Sequence, residues 1–118
     1  MSKIAEEVLD VVREIFPLNI IVSEYYIRFK NVQLFFDYFI KDMGVLIEVQ
    51  GRQHTEFVKH FHGNRATFLK QKERDNLKRE YVQENKELCL VRFYSTEKIN
   101  KDVVITKIYS ALEGGFCE

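Results

Sequence analysis

The chain is poor in the residues that mark linkers, metal fingers and membrane spans. Its 118 residues include one proline, five glycines and two cysteines. Without Pro- or Gly-rich linkers, repeats or low-complexity tracts, this length predicts a single domain. No apolar run approaches the roughly 20 residues of a membrane span and no signal-peptide pattern opens the chain, so we expect no membrane partner. Cys89 and Cys117 lack metal-ligand spacing, which favours a reduced, cytoplasmic setting.

Neither sign of charge is in excess. Lysine plus arginine and aspartate plus glutamate both number 18. Overall charge therefore does not indicate nucleic-acid binding, and any surface for a polyanion must come from local segregation of charge. The chain is instead rich in apolar residues, at 46% of the total, with 10 phenylalanines and 6 tyrosines. This composition excludes intrinsic disorder and is sufficient for a hydrophobic core.

Hydrophobic periodicity predicts an α/β domain with the element order α-β-β-β-α-β-α. The expected architecture is a four-stranded mixed sheet flanked by helices. Pro17 ends the first helix and Gly114-Gly115 stops the last one, which Asp102 is predicted to cap. Helices are predicted over residues 2–16, about 66–85 and 102–112, and strands over residues 20–29, 33–40, 45–50 and 88–94.

Two successive apolar strands each contain one acid, Asp37 in the first and Glu48 in the second. If the hairpin closes symmetrically about residues 41–44, Ile40 faces Val45 and the two acids lie directly opposite each other. Their Cβ atoms would then be about 4.5–5.5 Å apart, where like charges repel. A turn shifted by one residue would lose the pairing but still allow Asp37 to share a face with Glu48. Because unpaired buried charge is costly, the acids predict a site for Mg²⁺ or Mn²⁺, which prefer hard oxygen ligands.

With these motifs, the element order resembles the PD-(D/E)xK restriction-endonuclease-like superfamily. The resemblance is closest to the very-short-patch-repair-like branch of small phage and homing nucleases, with its Glu-Asp-x-His-Asp constellation. It covers roughly residues 6–94: the first acid matches Asp37, and the Glu-x-Lys element matches Glu48-Val49-Gln50, with glutamine in place of lysine. The segment Gly51-Arg52-Gln53-His54 resembles the glycine, glutamine and histidine that follow the third strand in this branch. The resemblance implies a Mg²⁺-dependent endodeoxyribonuclease in the cytoplasm of a bacterial or phage-infected cell.

The residues that the resemblance marks as catalytic are Asp37, Glu48, Gln50, His54, Asp75 and Glu7. Gln50 shares the strand face of Glu48 and is either a partner of bound water or phosphate or a structural amide; it cannot take a proton at neutral pH. His54 titrates near neutrality and would activate water, unless it is an exposed loop histidine. Glu7 lies at the border of the apolar stripe of the first helix, whereas Glu6 points nearly opposite that stripe.

The helix predicted over residues 66–85 has a local excess of cations. Asp75 shares a stripe with Phe68 and Val82, which predicts an inward-leaning acid with a catalytic role, or one paired with Lys78 at the surface. The cations form either a solvated face or a surface that contacts the phosphate backbone. The predicted nucleic-acid contacts are Arg52, Lys70, Lys72, Arg74, Lys78 and Arg79.

The predicted function is metal-dependent hydrolysis of phosphodiester bonds in DNA, including nicking. Two alternatives stay open at this point. One is a nuclease selective for branched DNA, and the other is a nuclease-fold module that binds DNA or protein without turnover. Because the sequence shows no separate recognition domain, strong sequence specificity would require a recognition partner or a homodimer.

Overall fold

The sheet combines an antiparallel meander with parallel strands. The computed structural model describes residues 3–50 and 65–118, in which five strands form one sheet in the order β1-β2-β3-β4-β5. β1, β2 and β3 pair antiparallel, whereas β3 pairs parallel with β4 and β4 with β5. The elements are helix α1 (Lys3–Ile15), strands β1 (Ile21–Phe29), β2 (Val32–Ile40) and β3 (Val45–Gln50), helix α2 (Arg65–Glu84), strand β4 (Cys89–Tyr94), helix α3 (Lys101–Gly114) and strand β5 (Phe116–Cys117).

The α/β class and the mixed sheet are confirmed, but the prediction of four strands is corrected by the fifth strand, β5. This strand has only two residues, too few to show periodicity, and it is held through backbone bonds such as Leu90 N to Gly115 O at 2.9 Å. The predicted cap of the last helix is also corrected: the Asn100 side chain, not Asp102, accepts from Val103 N at 2.9 Å. The glycine stop is confirmed, since Gly115 is left-handed at φ 89° and its N–H donates to Ala111.

The hairpin between β2 and β3 has the predicted register, with Ile40 opposite Val45. Its connector requires glycine at position 44, where φ is 69°. A Cβ atom there would also lie 2.3 Å from the backbone oxygen of Glu87, closer than any side chain tolerates. The tight approach lets Gly44 O accept a hydrogen bond from Cys89 N at 2.9 Å. The turn that sets the register therefore also joins β3 to the start of β4.

Helices cover both faces of the central strands. On the face that we call the α1/α3 face, Ile47 and Val91 pack with Val8, Val12 and Ile108. On the opposite face, the α2 face, the apolar cluster consists of Leu34, Phe36, Leu46, Val82 and Leu90. No helix within residues 3–50 and 65–118 combines the length and apolarity needed to cross a membrane.

The second strand changes faces at Asp37. Strand alternation would place Phe36 and Tyr38 on the same face, yet Phe36 belongs to the α2-face cluster and Tyr38 to the α1/α3-face cluster. The Tyr38 hydroxyl donates to Ala5 O at 2.9 Å, and burial raises the pKa of Tyr38 to about 12. On the neighbouring strand the corresponding break lies at Glu24, with φ 54°. Asp37 therefore occupies a twist in the ribbon rather than a regular ladder position.

Candidate functional site

The α2 face changes from apolar to polar along the parallel strands β3 and β4. The first neighbours are Leu46 and Leu90, and the next in register are Glu48 and Arg92. Gln50 and Tyr94 follow at the carboxyl ends of both strands. Because ligands of open α/β sheets bind beyond the carboxyl ends of the parallel strands, this gradient points to the ligand-binding end of the sheet.

Glu48 is buried, with 4% of its surface exposed, and is surrounded by donors. The Lys78 ammonium, from helix α2, contacts Glu48 Oε1. On the other oxygen, Oε2, Arg92 Nε lies at 3.5 Å and Gln50 Nε2 at 3.4 Å. Buried charge is tolerated when it is paired in this way, so the local structure accounts for an acid inside an apolar strand.

Arg92 connects the elements around the site. It is 2% exposed, and its Nη2 donates to the backbone oxygen of Asp75 at 3.3 Å and lies 4.0 Å from the Asp75 carboxylate. Its Nη1 donates to Glu118 Oε1 at 3.1 Å, whereas its buried Nε has no hydrogen-bond partner within residues 3–50 and 65–118. Arg92 is not among the site residues predicted from the sequence. The signal was present, because Arg92 interrupts an apolar strand as Asp37 and Glu48 do.

Asp37 reaches the site from the other side of Glu48. Its Oδ2 accepts a hydrogen bond from Val49 N at 2.8 Å, which ties the acid to the strand that contains Glu48. The β2–β3 pairing ends at Tyr38–Ile47, one step before Asp37 and Glu48, so Asp37 is joined to β3 through its side chain. Burial raises the pKa of Asp37; the Val49 bond opposes that shift, Glu48 adds to it and Lys78 lowers it.

A cleft of about 100 Å³ opens beside Gln50 and Arg92, the two strand residues that contact Glu48. It lies between the ends of β3 and β4 and the inner side of helix α2, so both strands and the helix supply polar groups to it. Its lining is formed by Gln50, Lys72, Asp75, Asn76, Arg79, Arg92 and Tyr94. Three of these residues are cationic and one is acidic, a composition that suits an anionic ligand.

Most of the predicted site residues lie close to Glu48 or to its partners, whereas Glu7 is exposed on helix α1. Asp37, Glu48, Gln50 and Asp75 converge, and Asp75 is 9% exposed as its helical stripe predicted. Glu7 is exposed on α1, which packs on the opposite, α1/α3 face. The predictions for His54 and Arg52 fall outside the described residues.

The predicted basic surface on helix α2 is divided by burial. Lys78 is 9% exposed and is directed at Glu48, not at a surface partner. Arg79 is exposed and forms a bidentate pair with Glu118, with one contact of 2.7 Å. Lys72 lines the cleft and lies 5.5 Å from the centroid of the Phe68 ring, whereas Lys70 and Arg74 are exposed. The helix therefore has an inward cationic side near the acids and an outward cationic side.

The expected repulsion between the two acids is compensated by side chains. Lys78 and Arg92 stand beside Glu48, where the sequence analysis expected only a divalent cation. Within residues 3–50 and 65–118, no cluster of three or more His, Cys, Asp or Glu side chains is arranged to hold a metal. Asp37 and Glu48 supply the oxygen donors that Mg²⁺ prefers, and such sites are commonly completed by water and substrate phosphate. A cation that reaches Glu48 would have to share this carboxylate with Lys78.

Comparisons with protein-family models, with curated proteins and with solved structures give no match to this chain. The resemblance to the restriction-endonuclease-like superfamily therefore remains a hypothesis.

Proposed function

We propose that this protein is a metal-dependent nuclease that hydrolyses phosphodiester bonds in DNA. The observation that carries the proposal is the acid pair Asp37 and Glu48 beside a cationic cleft that includes Arg92. Hydrolysis of a phosphodiester requires ligands for a divalent cation and positive charge for the phosphate within one site. The described residues provide both kinds of group at the carboxyl ends of β3 and β4.

Asp37 and Glu48 are the residues that would hold Mg²⁺ or Mn²⁺. When bound, the metal polarises the phosphate and stabilises charge on the leaving oxygen. Val49 N, which donates to Asp37, keeps one carboxylate oxygen in place and leaves the other for coordination. Gln50 donates to Glu48 and orients that carboxylate, but it cannot act as a base.

Lys78 provides the ammonium group that the third strand lacks at Gln50. It comes from helix α2 and contacts Glu48 directly, so its charge lies beside the proposed metal ligand. We assign to Lys78 the stabilisation of negative charge that develops on the phosphate. His54 remains our candidate for accepting the proton of the attacking water, since imidazole titrates near neutrality.

The test is a cleavage assay on supercoiled plasmid, single-stranded DNA and branched DNA. Each substrate is incubated with Mg²⁺, with Mn²⁺ and with a chelator. We expect metal-dependent cleavage by the wild type, loss of cleavage in Asp37→Asn, and full activity in Asp10→Asn, which removes an exposed carboxylate of helix α1. Unchanged cleavage by Asp37→Asn would exclude this site. Preference among the three substrates separates a general nuclease from one selective for branched DNA.

The role of His54 has its own test. As a general base it should contribute about 10²- to 10⁴-fold to the chemical step, so His54→Ala should lose that factor at unchanged DNA affinity. The wild-type rate should rise with pH through the histidine range, and the variant should lack this rise. Weak DNA binding with normal turnover in His54→Ala would make His54 a contact residue.

A second candidate function is a DNA-binding module without turnover. The observation that favours it is the pairing of both Glu48 oxygens with side-chain cations, which lowers the need for a metal. Such a module would bind DNA in a salt-dependent way, with log affinity falling by about 0.9 per phosphate contact against log salt. Binding with this slope and no cleavage under any metal would select the module. In either case a homodimer or a recognition partner would supply sequence specificity.

A further inference from the structure

We propose that Arg79 and Arg92 form a phosphate subsite, and that the side chain of Glu118 occupies it as an internal competitor in this structure. This proposal rests on the proposed function in one respect only: the phosphate is taken to belong to a DNA backbone. The anion site itself is argued from the contacts of the two arginines.

Two guanidinium groups from different elements converge on one carboxylate. Arg79, on α2, donates through Nε and Nη2 to the two oxygens of Glu118, with the Nε contact at 2.7 Å. Arg92, on β4, donates through Nη1 to Oε1 at 3.1 Å. A phosphate offers the same paired oxygens that a bidentate guanidinium recognises in a carboxylate. The Glu118 side chain therefore occupies the position that a phosphate group would take.

Burial fixes the position of Arg92, one of the two arginines of the subsite. Arg92 is 2% exposed, and its contacts with Asp75 and Glu48 fix the guanidinium so that Nη1 is directed at Glu118. Because Arg92 also contacts Glu48, a phosphate bound to it would lie next to the proposed metal ligand.

The competitor is held less firmly than the subsite. The side chains of Arg79 and Glu118 are 44% and 31% exposed, so solvent screens their attraction. Once Glu118 moves away, the cleft lining within residues 3–50 and 65–118 contains three cations, Lys72, Arg79 and Arg92, and one acid, Asp75. That balance favours an anion with more charge than one carboxylate.

The test measures binding of inorganic phosphate by calorimetry to the full chain and to Glu118→Gln. Removing the competing charge should tighten binding about fivefold, the factor expected for release of a partly exposed ion pair. Asp10→Asn, which changes net charge equally on the opposite face of the sheet, should leave the affinity within twofold of wild type. Adding Arg79→Gln to Glu118→Gln should weaken binding by about tenfold or more, because a bidentate charged contact is lost.

Two further ligands identify the source of the phosphate. A 5′-phosphorylated dinucleotide and a short duplex should follow the same order of variants if the subsite receives a nucleic-acid backbone. If the variants rank in this order for inorganic phosphate but not for the dinucleotide or the duplex, the subsite binds free phosphate and not a nucleic-acid backbone. Equal phosphate affinity in Glu118→Gln and Asp10→Asn would overturn the proposal. If the wild type does not cleave DNA but the variants still rank as expected by phosphate affinity, the nuclease function is wrong and the phosphate subsite is supported.

Discussion

The two faces of the β3–β4 strand pair bury their side chains by different means. On the α1/α3 face, Ile47 and Val91 contact other apolar side chains such as Ile108. On the α2 face, the adjacent strand positions Glu48 and Arg92 are almost as deeply buried but carry charge. Apolar burial gains free energy in proportion to the area removed from water. A buried ion pair, in contrast, often contributes no more than a well-packed apolar replacement. The difference indicates that the charged cluster is not needed to stabilise the fold, which agrees with the site that we propose.

The largest expected effect comes from breaking the charge balance of the α2 face. Glu48→Gln leaves Lys78 and Arg92 buried without their shared counter-charge, and should lower the free energy of unfolding by about 3–5 kcal/mol. Urea denaturation measures the loss. The matched control is Glu80→Gln, whose exposed pair with Lys30 should contribute about 0–1 kcal/mol. A loss at Glu48 as small as at Glu80 would contradict the comparison of the two faces.

The α1/α3 face should respond to loss of volume instead of loss of charge. Ile108→Ala removes a fully buried side chain and should cost about 2–5 kcal/mol. This cost should hardly change with salt or with pH, since no charge is involved. Leu112→Ala on the same helix, at a position 41% exposed, serves as the control and should cost far less. Strong salt dependence of the Ile108→Ala loss would show that the two faces are not energetically separate.

A double-mutant cycle measures how far the α2 face behaves as one unit. Lys78→Met keeps the length of the side chain and removes its charge. Combined with Glu48→Gln, it should give a coupling free energy of about 0.5–3 kcal/mol. The parallel cycle of Lys30→Met with Glu80→Gln should give about 0.2–1 kcal/mol, because that pair is exposed. Additive losses in the first cycle would mean that Lys78 and Glu48 stabilise the fold independently.

The smallest effect concerns pH dependence at Asp37. Burial raises the pKa of this carboxyl above its ordinary value of 3.8, with Glu48 adding to the shift. The folded state therefore holds the proton to higher pH than the unfolded state, and stability falls as pH rises from the ordinary value through the raised one. Asp37→Asn removes this loss, so its stability relative to wild type should increase across that window and stay higher at neutral pH. Thermal unfolding between pH 3 and 7, with Asp10→Asn as the control, tests the sign; a relative stability that falls with pH would contradict it.

Local pattern was sufficient for most elements and for the start of the hairpin. The apolar runs predicted α1 and the first four strands, and hairpin closure about residues 41–44 predicted that Ile40 lies opposite Val45. The direct pairing of Asp37 with Glu48 is not part of the observed register, because β2 departs from the regular ladder at Asp37. Helical spacing predicted that Asp75 leans inward. Each of these predictions depends on residues close in sequence, where periodicity and turn length control the geometry. Strand β5 was not predicted, because two residues are too few to show hydrophobic periodicity. The predicted cap was wrong because Asn100 and Asp102 are both good capping residues.

Alternation and hairpin length act between neighbours along the chain, so the strand positions that carry charge could be predicted from the sequence. The partners that neutralise this charge come from distant elements and became known from the fold. Lys78 reaches Glu48 from 30 positions away, and Arg92 reaches it through parallel pairing across the α2 crossover. Glu118 enters the same site from beyond α3. Such contacts depend on the packing of whole elements, and sequence spacing does not encode which of many surface cations will be turned inward. For this reason the charged helix α2 lines a buried, polar site instead of facing only solvent.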